Sequence, residues 1–255
     1  MARAKKIKLI HMYPDLLNLY GDIGNIITLE KRCSWRNIHL EVNRMKLGKS
    51  FPNKGDIYFI GGGQDEDEYE VYEDLVKHRY QIKRLVDKGV VFLCVCAGFQ
   101  LFGKYFIDGR GRKIEGLGIL DVVTKAPNNS VRDRCIGNII VNINKAKINK
   151  KKLERNTLVG FENHIGQTYL GKKVKHLGKV ISGKGNNSED IFEGAVYKNL
   201  FASYLHGPIL SKNPHFADYL IWLALKRKYK HIRKLAKLDS KEEFEAHDFV
   251  VENLK

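Results

Sequence analysis

Residues 90–95 (VVFLCV) form an unbroken apolar run that ends directly on Cys96-Ala97-Gly98. A run without alternation suits a strand buried on both faces, the kind found in parallel sheets covered by helices. Residues 97–106 read as a helix, so the chain passes from strand to helix with no loop between. The rest of the first half repeats this alternation. Strands are expected over 7–12, 39–47 and 56–60 (DIYFI), the last stopping at Gly61-Gly62-Gly63. Helices are expected over 15–36, interrupted around Gly21 and Gly24, and over 69–88, where Leu75, Ile82, Leu85 and Val86 share one face. Strands alternating with helices imply a mostly parallel central sheet with right-handed crossovers, flanked by helices. The second half differs. Short strands are expected over 119–123, 138–143, 158–161, 179–181, 194–196 and 200–204, with Tyr197-Lys198-Asn199 as a hairpin turn. This is an antiparallel extension of an α/β fold. Helices over 214–230 and 241–252 close the chain, so residues 1–255 read as a single domain with a helical C-terminal extension from about residue 213.

The 255 residues contain no stretch of 18 apolar residues, and the basic start is followed by too short an apolar run to act as a secretory signal. Four cysteines without a C-x-x-C pair do not make a disulfide framework, which places the chain in a reducing, cytoplasmic setting. Lys plus Arg is 45 against 29 Asp plus Glu, a formal net charge of +16. That surplus suits an anionic partner or surface, or it reflects a lysine-rich proteome. No nucleic-acid-binding signature accompanies it, so no nucleic acid is expected.

Three sites can carry chemistry. A cysteine at a strand-to-helix turn is lifted out of the sheet, and its thiol faces amide protons of the helix start, which favour a thiolate. Cys96 holds that position, and the Ala97 amide is placed to meet a developing oxyanion. Cys94, two residues earlier on the strand, fits the commoner fate of a buried inert thiol. A zinc site from the two is not expected, because no second ligand pair stands at ligand spacing. Gly61-Gly62-Gly63 lets backbone amides approach a negative charge, although a plain tight turn would read the same way; no Lys-Ser or Lys-Thr follows to make a phosphate loop. In Tyr204-Leu205-His206-Gly207-Pro208 an apolar strand ends on a histidine. That sets His206, one of nine histidines, where open α/β sheets gather active-site groups.

Together these motifs resemble the class I glutamine amidotransferases. Cys96, Gly98 and Gln100 match their C-x-G-x-Q elbow, the glycine loop their second oxyanion element and His206 their histidine. Leu17 through Asn25 (LNLYGDIGN), Gly160 through His164 (GFENH), Gly185-Asn186-Asn187, Tyr197 through Leu200 and Tyr204 through Leu210 (YLHGPIL) narrow the resemblance. They are similar to the cobyric-acid-synthase-like branch, and within it to the GatD subunits of lipid II isoglutaminyl synthase.

The resemblance implies hydrolysis of L-glutamine. Cys96 would be the nucleophile and His206 its base. Gly62, Gly63 and Ala97 would supply oxyanion amides, and Gln100 and Arg134 would bind substrate, with Arg132 the alternative to Arg134. It further implies a heterodimer with a MurT-like Mur ligase subunit. That partner would spend the ammonia on the D-glutamate of the lipid II stem peptide. No cofactor is expected in this chain; ATP and magnesium would belong to the partner. Pro208 stands where most class I enzymes place a triad glutamate, leaving a Cys–His dyad, so a carboxylate from the partner is expected to orient His206. A lipid-linked substrate also suggests weak contact with an anionic membrane through Lys226, Arg227, Lys228, Lys230, Arg233, Lys234 and Lys237, a stretch without an acid. Another thiol hydrolase of the same fold, such as a γ-glutamyl peptidase or a DJ-1-like protein, would share the elbow but not YGDIGN or FENH. A non-enzymatic basic binding module is the third reading.

Overall fold

The computed structural model describes residues 5–127, 133–144, 148 and 153–253. In chain order its first half runs β1 (Lys5–Met12), α1 (Ile23–Ser34), β2 (Ile38–Met45), β3 (Ile57–Ile60), α2 (Asp65–Leu75), α3 (Arg79–Asp87), β4 (Val91–Val95) and α4 (Ala97–Phe102). The second half contributes β5 (Tyr105–Ile107), β6 (Lys113–Glu115), β7 (Val122–Lys125), β8 (Cys135–Ile143), β9 (Thr157–His164), β10 (Gln167–Leu170), β11 (Gly178–Ser182), β12 (Phe192–Glu193), β13 (Ala195–Tyr197), β14 (Leu200–Ser203) and β15 (Leu205–His206). Helices α5 (Pro214–Lys228) and α6 (Lys241–Asn253) follow.

The central sheet has the order β13-β14-β4-β3-β1-β2. Its inner pairs are parallel, from β14 to β2, and the β13–β14 hairpin adds one antiparallel edge. β3 and β4 are buried at every residue, as the uninterrupted apolar run requires. Helix α1 covers the sheet with Ile26, Leu29 and Cys33, and α3 does so with Ile82, Leu85 and Val86, each set at helical spacing. Two further sheets come from the second half: β10-β7-β5-β6, and the antiparallel β12-β11-β8-β9-β15.

Several elements differ from the sequence reading. The helix expected over 69–88 is two helices separated by a short 3-10 turn at Val76–His78. The helix expected over 97–106 stops at Phe102, since the chain turns at Gly103 and residues 105–107 enter a strand that pairs with β6 and β7. The strand expected over 200–204 ends at Ser203. There the Tyr204 and Leu205 amides turn to the side chains of Glu193 and Ser203 (2.8 and 3.0 Å), and the chain leaves the central sheet to pair with β9.

The C-terminal helices are tied back by buried polar contacts. Asn213 uses its side-chain amide as a strand would, accepting from Val159 N and donating to Val159 O (3.0 and 2.7 Å). Arg32 of α1, whose side chain is 3% exposed, donates to both Asp218 oxygens (2.6 and 2.9 Å), to Glu243 (3.0 Å) and to Ser240 (3.0 Å). Removing one partner of such a buried ion network strands the others, at a cost of about 3–5 kcal/mol. Arg32→Ala is therefore expected to lower Tm by roughly 6–20 °C in a thermal melt. A midpoint within about 2 °C of wild type would show that solvent replaces the network at little cost.

Candidate active site

The parallel ladder sets the ends of β3, β4 and β14 side by side, with Ile60 opposite Cys94 and Val95 opposite Ser203. The segments that leave those ends carry Gly61–Gly63, Cys96 and His206. Cys96 sits in a backbone conformation that side chains rarely adopt, φ 52° and ψ −105°. Such a geometry costs about 1–3 kcal/mol and persists only where neighbours enforce it. Here the Cys96 amide donates to Ser203 O (2.9 Å), and its carbonyl accepts from Phe99 N and Gln100 N (2.8 and 3.1 Å). Gly98 completes the elbow. A methyl group there would lie 2.6 Å from Ile60 Cγ2 and 2.8 Å from Ile60 O, so only glycine lets α4 approach β3 this closely. Cys94, by contrast, is wholly buried within β4.

Gly62 lies where the reactive groups meet. A methyl group on it would come within 2.9 Å of His206 Cε1, 3.3 Å of Cys96 Cβ and 3.5 Å of Asp22 Oδ2. The structure therefore brings Cys96 and His206 together, 110 residues apart in the chain. It also adds Asp22, which sequence reasoning missed. Asp22 is fully buried; its Oδ2 accepts from Gly62 N (2.7 Å), and its Oδ1 lies 3.3 Å from His206 Nδ1. The imidazole thus has a carboxylate at Nδ1, while its buried Nε2 has no hydrogen-bond partner. A proton on Nδ1 leaves a lone pair at Nε2, the state a general base needs. An acid facing His206 was expected from outside the chain; Asp22 faces Nδ1 from within it. A second correction follows from the same contact. The Gly62 amide donates to Asp22, so it is not the oxyanion donor expected of it, whereas Gly63 lines the cleft. The other hints in YGDIGN also find physical reasons. Tyr20 sets its ring edge-on to His206 (centroids 4.8 Å apart), Gly24 packs against Pro208, and Asn25 Oδ1 accepts from Leu210 N (2.9 Å).

A cleft of about 330 Å³ opens at Cys96, lined also by Gln100, Glu68, Arg134, Asn163 and His164. Arg134 is held by Asn163 Oδ1, which accepts from its Nε, and by the Tyr20 hydroxyl, 3.3 Å from Nη2. Arg132 lies outside the described residues. His164 stacks on Tyr204 at 3.7 Å, and its Nδ1 is 2.8 Å from Gly166 O. Burial pushes the Cys96 thiol well above its ordinary range. The negative charges of Glu68 and Asp22 add to this, and the Ala97 amide and Arg134 only partly oppose it. The Ala97 amide favours the thiolate, as the sequence suggests, but burial outweighs it. A second cavity, about 360 Å³, lies against Arg32, Asp218 and Trp222 under the C-terminal helices.

Asp22→Asn removes the acceptor at Nδ1 and lets the ring take the wrong tautomer. Turnover of a side-chain amide is expected to fall about 10²–10⁴-fold. An unchanged kcat in a coupled glutamate assay would give the orienting role to another group.

Residues 8–214 match the CobB/CobQ-like glutamine amidotransferase domain. The chain is 40% identical over 225 residues to the GatD subunit of lipid II isoglutaminyl synthase (glutamine-hydrolyzing) from Streptococcus pneumoniae, covering 88% of this chain and 82% of that one. It is 41% identical over 226 residues to the GatD subunit from Staphylococcus aureus, covering 88% and 86%. Among solved structures, PurLQS from Thermotoga maritima superposes with TM-score 0.58 at 12% identity, over 86% of this chain and 98% of that one. The glutaminase domain of Trypanosoma brucei CTPS superposes with TM-score 0.55 at 14% identity, over 91% and 98%. At such identities the structures speak for the fold alone. With four-fifths of its length inside the matched domain and the cysteine–histidine pair assembled at the ends of its central strands, the chain belongs to the CobB/CobQ-like glutamine amidotransferase family.

Proposed function

We propose that this chain is the glutamine-hydrolysing subunit of a lipid II isoglutaminyl synthase, working as one amidotransferase domain with a helical extension. The observation that carries the reading is the meeting of Cys96, His206 and Asp22 around Gly62 in a chain 40–41% identical to two such subunits. In this reading His206 Nε2 takes the Cys96 proton as Sγ attacks the side-chain amide carbon of L-glutamine. The oxyanion meets the amides of Ala97 and Gly63. His206 returns the proton to the leaving ammonia, which departs as a thioester forms on Cys96. His206 then activates water, glutamate is released and the thiol is restored. Asp22 supports the imidazolium at each stage. Arg134 receives the substrate carboxylate, and Gln100 borders the same cleft. The ammonia passes to a MurT-like, ATP-using Mur ligase partner in a heterodimer, where ATP and magnesium reside, for amidation of lipid II.

We place this activity in the cytoplasm. Among the described residues no helix is long and apolar enough to cross a membrane. Weak contact with an anionic membrane surface remains part of the proposal, but with less charge than the sequence suggests. Arg227 and Lys228 are engaged with Asp56 (3.3 and 2.8 Å), and Lys226 lies over the Trp222 ring.

A glutaminase assay tests the core of this reading. Cys96→Ser is expected to abolish glutamate release, Cys94→Ser to leave most of it, and His206→Ala to lower it about 10²–10⁴-fold. A glutamine-mimicking affinity label found on Cys94 instead of Cys96 would reverse the assignment. For Arg134, loss of the planar fork matters even when charge is kept, so Arg134→Lys is expected to raise KM for glutamine by about tenfold or more. Wild-type kinetics in Arg134→Ala would move the clamp elsewhere.

A further inference from the structure

Four acids fill the first turn of α2, and their placement separates them. Asp65 is exposed, Glu66 pairs with Arg110 and Arg112, and Asp67 Oδ2 accepts from Gln64 N in the cap. Glu68 alone is buried, 3% exposed. Its Oε2 has no hydrogen-bond partner, and its side chain lines the same cleft as Cys96 and Arg134. A carboxyl group buried without a partner is costly, and the first turn of a surface helix could place an apolar residue there at no loss. Helix capping does not explain it either, since Gln64 and Asp67 already form the cap.

An α-amino acid carries an ammonium and a carboxylate on one carbon. A cleft that selects it needs an acceptor of negative charge beside a fixed cation. We propose that Glu68 receives the α-ammonium group of the substrate while Arg134 receives its α-carboxylate, making Glu68 a specificity-determining residue for the free amino-acid end of glutamine. This rests on the glutaminase reading above and deepens it.

The electrostatics of the empty cleft agree with the geometry. Burial and the neighbouring Asp65, Asp67 and Asp108 push the Glu68 carboxyl well above its ordinary range, as expected of an acid that lacks a cation beside it. An ammonium against it favours the carboxylate and forms a charge-assisted pair in a site of low polarity. The pairing also cancels a negative charge that opposes ionisation of Cys96. The amino group of the correct substrate thereby makes the nucleophile easier to form.

The test compares glutamine with glutaramate, which keeps the carboxylate and side-chain amide but lacks the amino group. The subunit is assayed assembled with its synthase partner. Wild type is expected to prefer glutamine in kcat/KM by at least about 100-fold, because a site built for a hydrogen-bonding group rejects the analogue lacking it. Glu68→Leu, similar in size and without an acceptor, is expected to cut that preference to below about tenfold. The loss should fall on glutamine, mainly through KM, and glutaramate turnover should stay within about threefold of wild type. Glu68→Gln, which keeps the shape and one carbonyl acceptor, should give an intermediate preference and serves if the leucine variant does not fold. A preference unchanged in both folded variants overturns the assignment, whether or not the rates fall. Equal losses on both substrates would mean that Glu68 only supports packing or serves the amide end. Wild-type glutamate release in the same assay tests the glutaminase reading by itself; a wild-type complex inert toward glutamine would sink both.

Discussion

Asp22 holds the site together. One carboxylate oxygen accepts from the Gly62 amide and the other faces His206 Nδ1, so a single side chain joins three segments. Those segments are the start of α1, the glycine loop after β3 and the short strand β15 that follows β14. The contact is possible because the parallel ladder sets the ends of β1, β3, β4 and β14 on one edge. Burying a carboxylate this deeply is tolerable only if its oxygens are matched by donors, and both are. The rest follows from that anchor. With Nδ1 engaged, Nε2 is left without a hydrogen-bond partner, and Gly62 can carry no side chain because His206 and Cys96 occupy the space.

The sequence carried the architecture well where apolar spacing was unambiguous. The run at 90–95 became β4, the alternation after it became the parallel sheet, and the turn at Tyr197-Lys198-Asn199 is a hairpin with Lys198 at φ 54°. It failed where the signal did not change. Val71, Leu75, His78, Ile82 and Leu85 keep one helical phase straight through the break between α2 and α3, so spacing could not show it. Residues 105–107 are too short to declare a strand alone, and their partners lie in segments with no local mark.

The site was legible by a different route. Cys96 and His206 stand at turns that the chain itself announces, whereas Asp22 is one acid among 29 and precedes an ordinary helix. Its role depends on the distance to a histidine 184 residues away, which no local pattern encodes. The signal that could have found it was present: LNLYGDIGN lay outside the general class I pattern and contained a single acid. The Gly62 amide was misjudged for the same reason, because its donor direction depends on Asp22.

The charges around Cys96 explain why the resting site favours an inert thiol. The elbow brings the sulfur to the helix start, which in an open site would lower its pKa, yet burial acts the other way and is the larger effect here. Two acids within reach add to it. On the proposed glutaminase reading, the subunit loses nothing by keeping its nucleophile protonated until glutamine arrives. The amino-acid end brings a cation to the acidic wall, and the imidazole oriented by Asp22 stands ready to take the proton. Burial that would be a defect in an isolated nucleophile becomes a means of coupling thiolate formation to occupancy of the cleft.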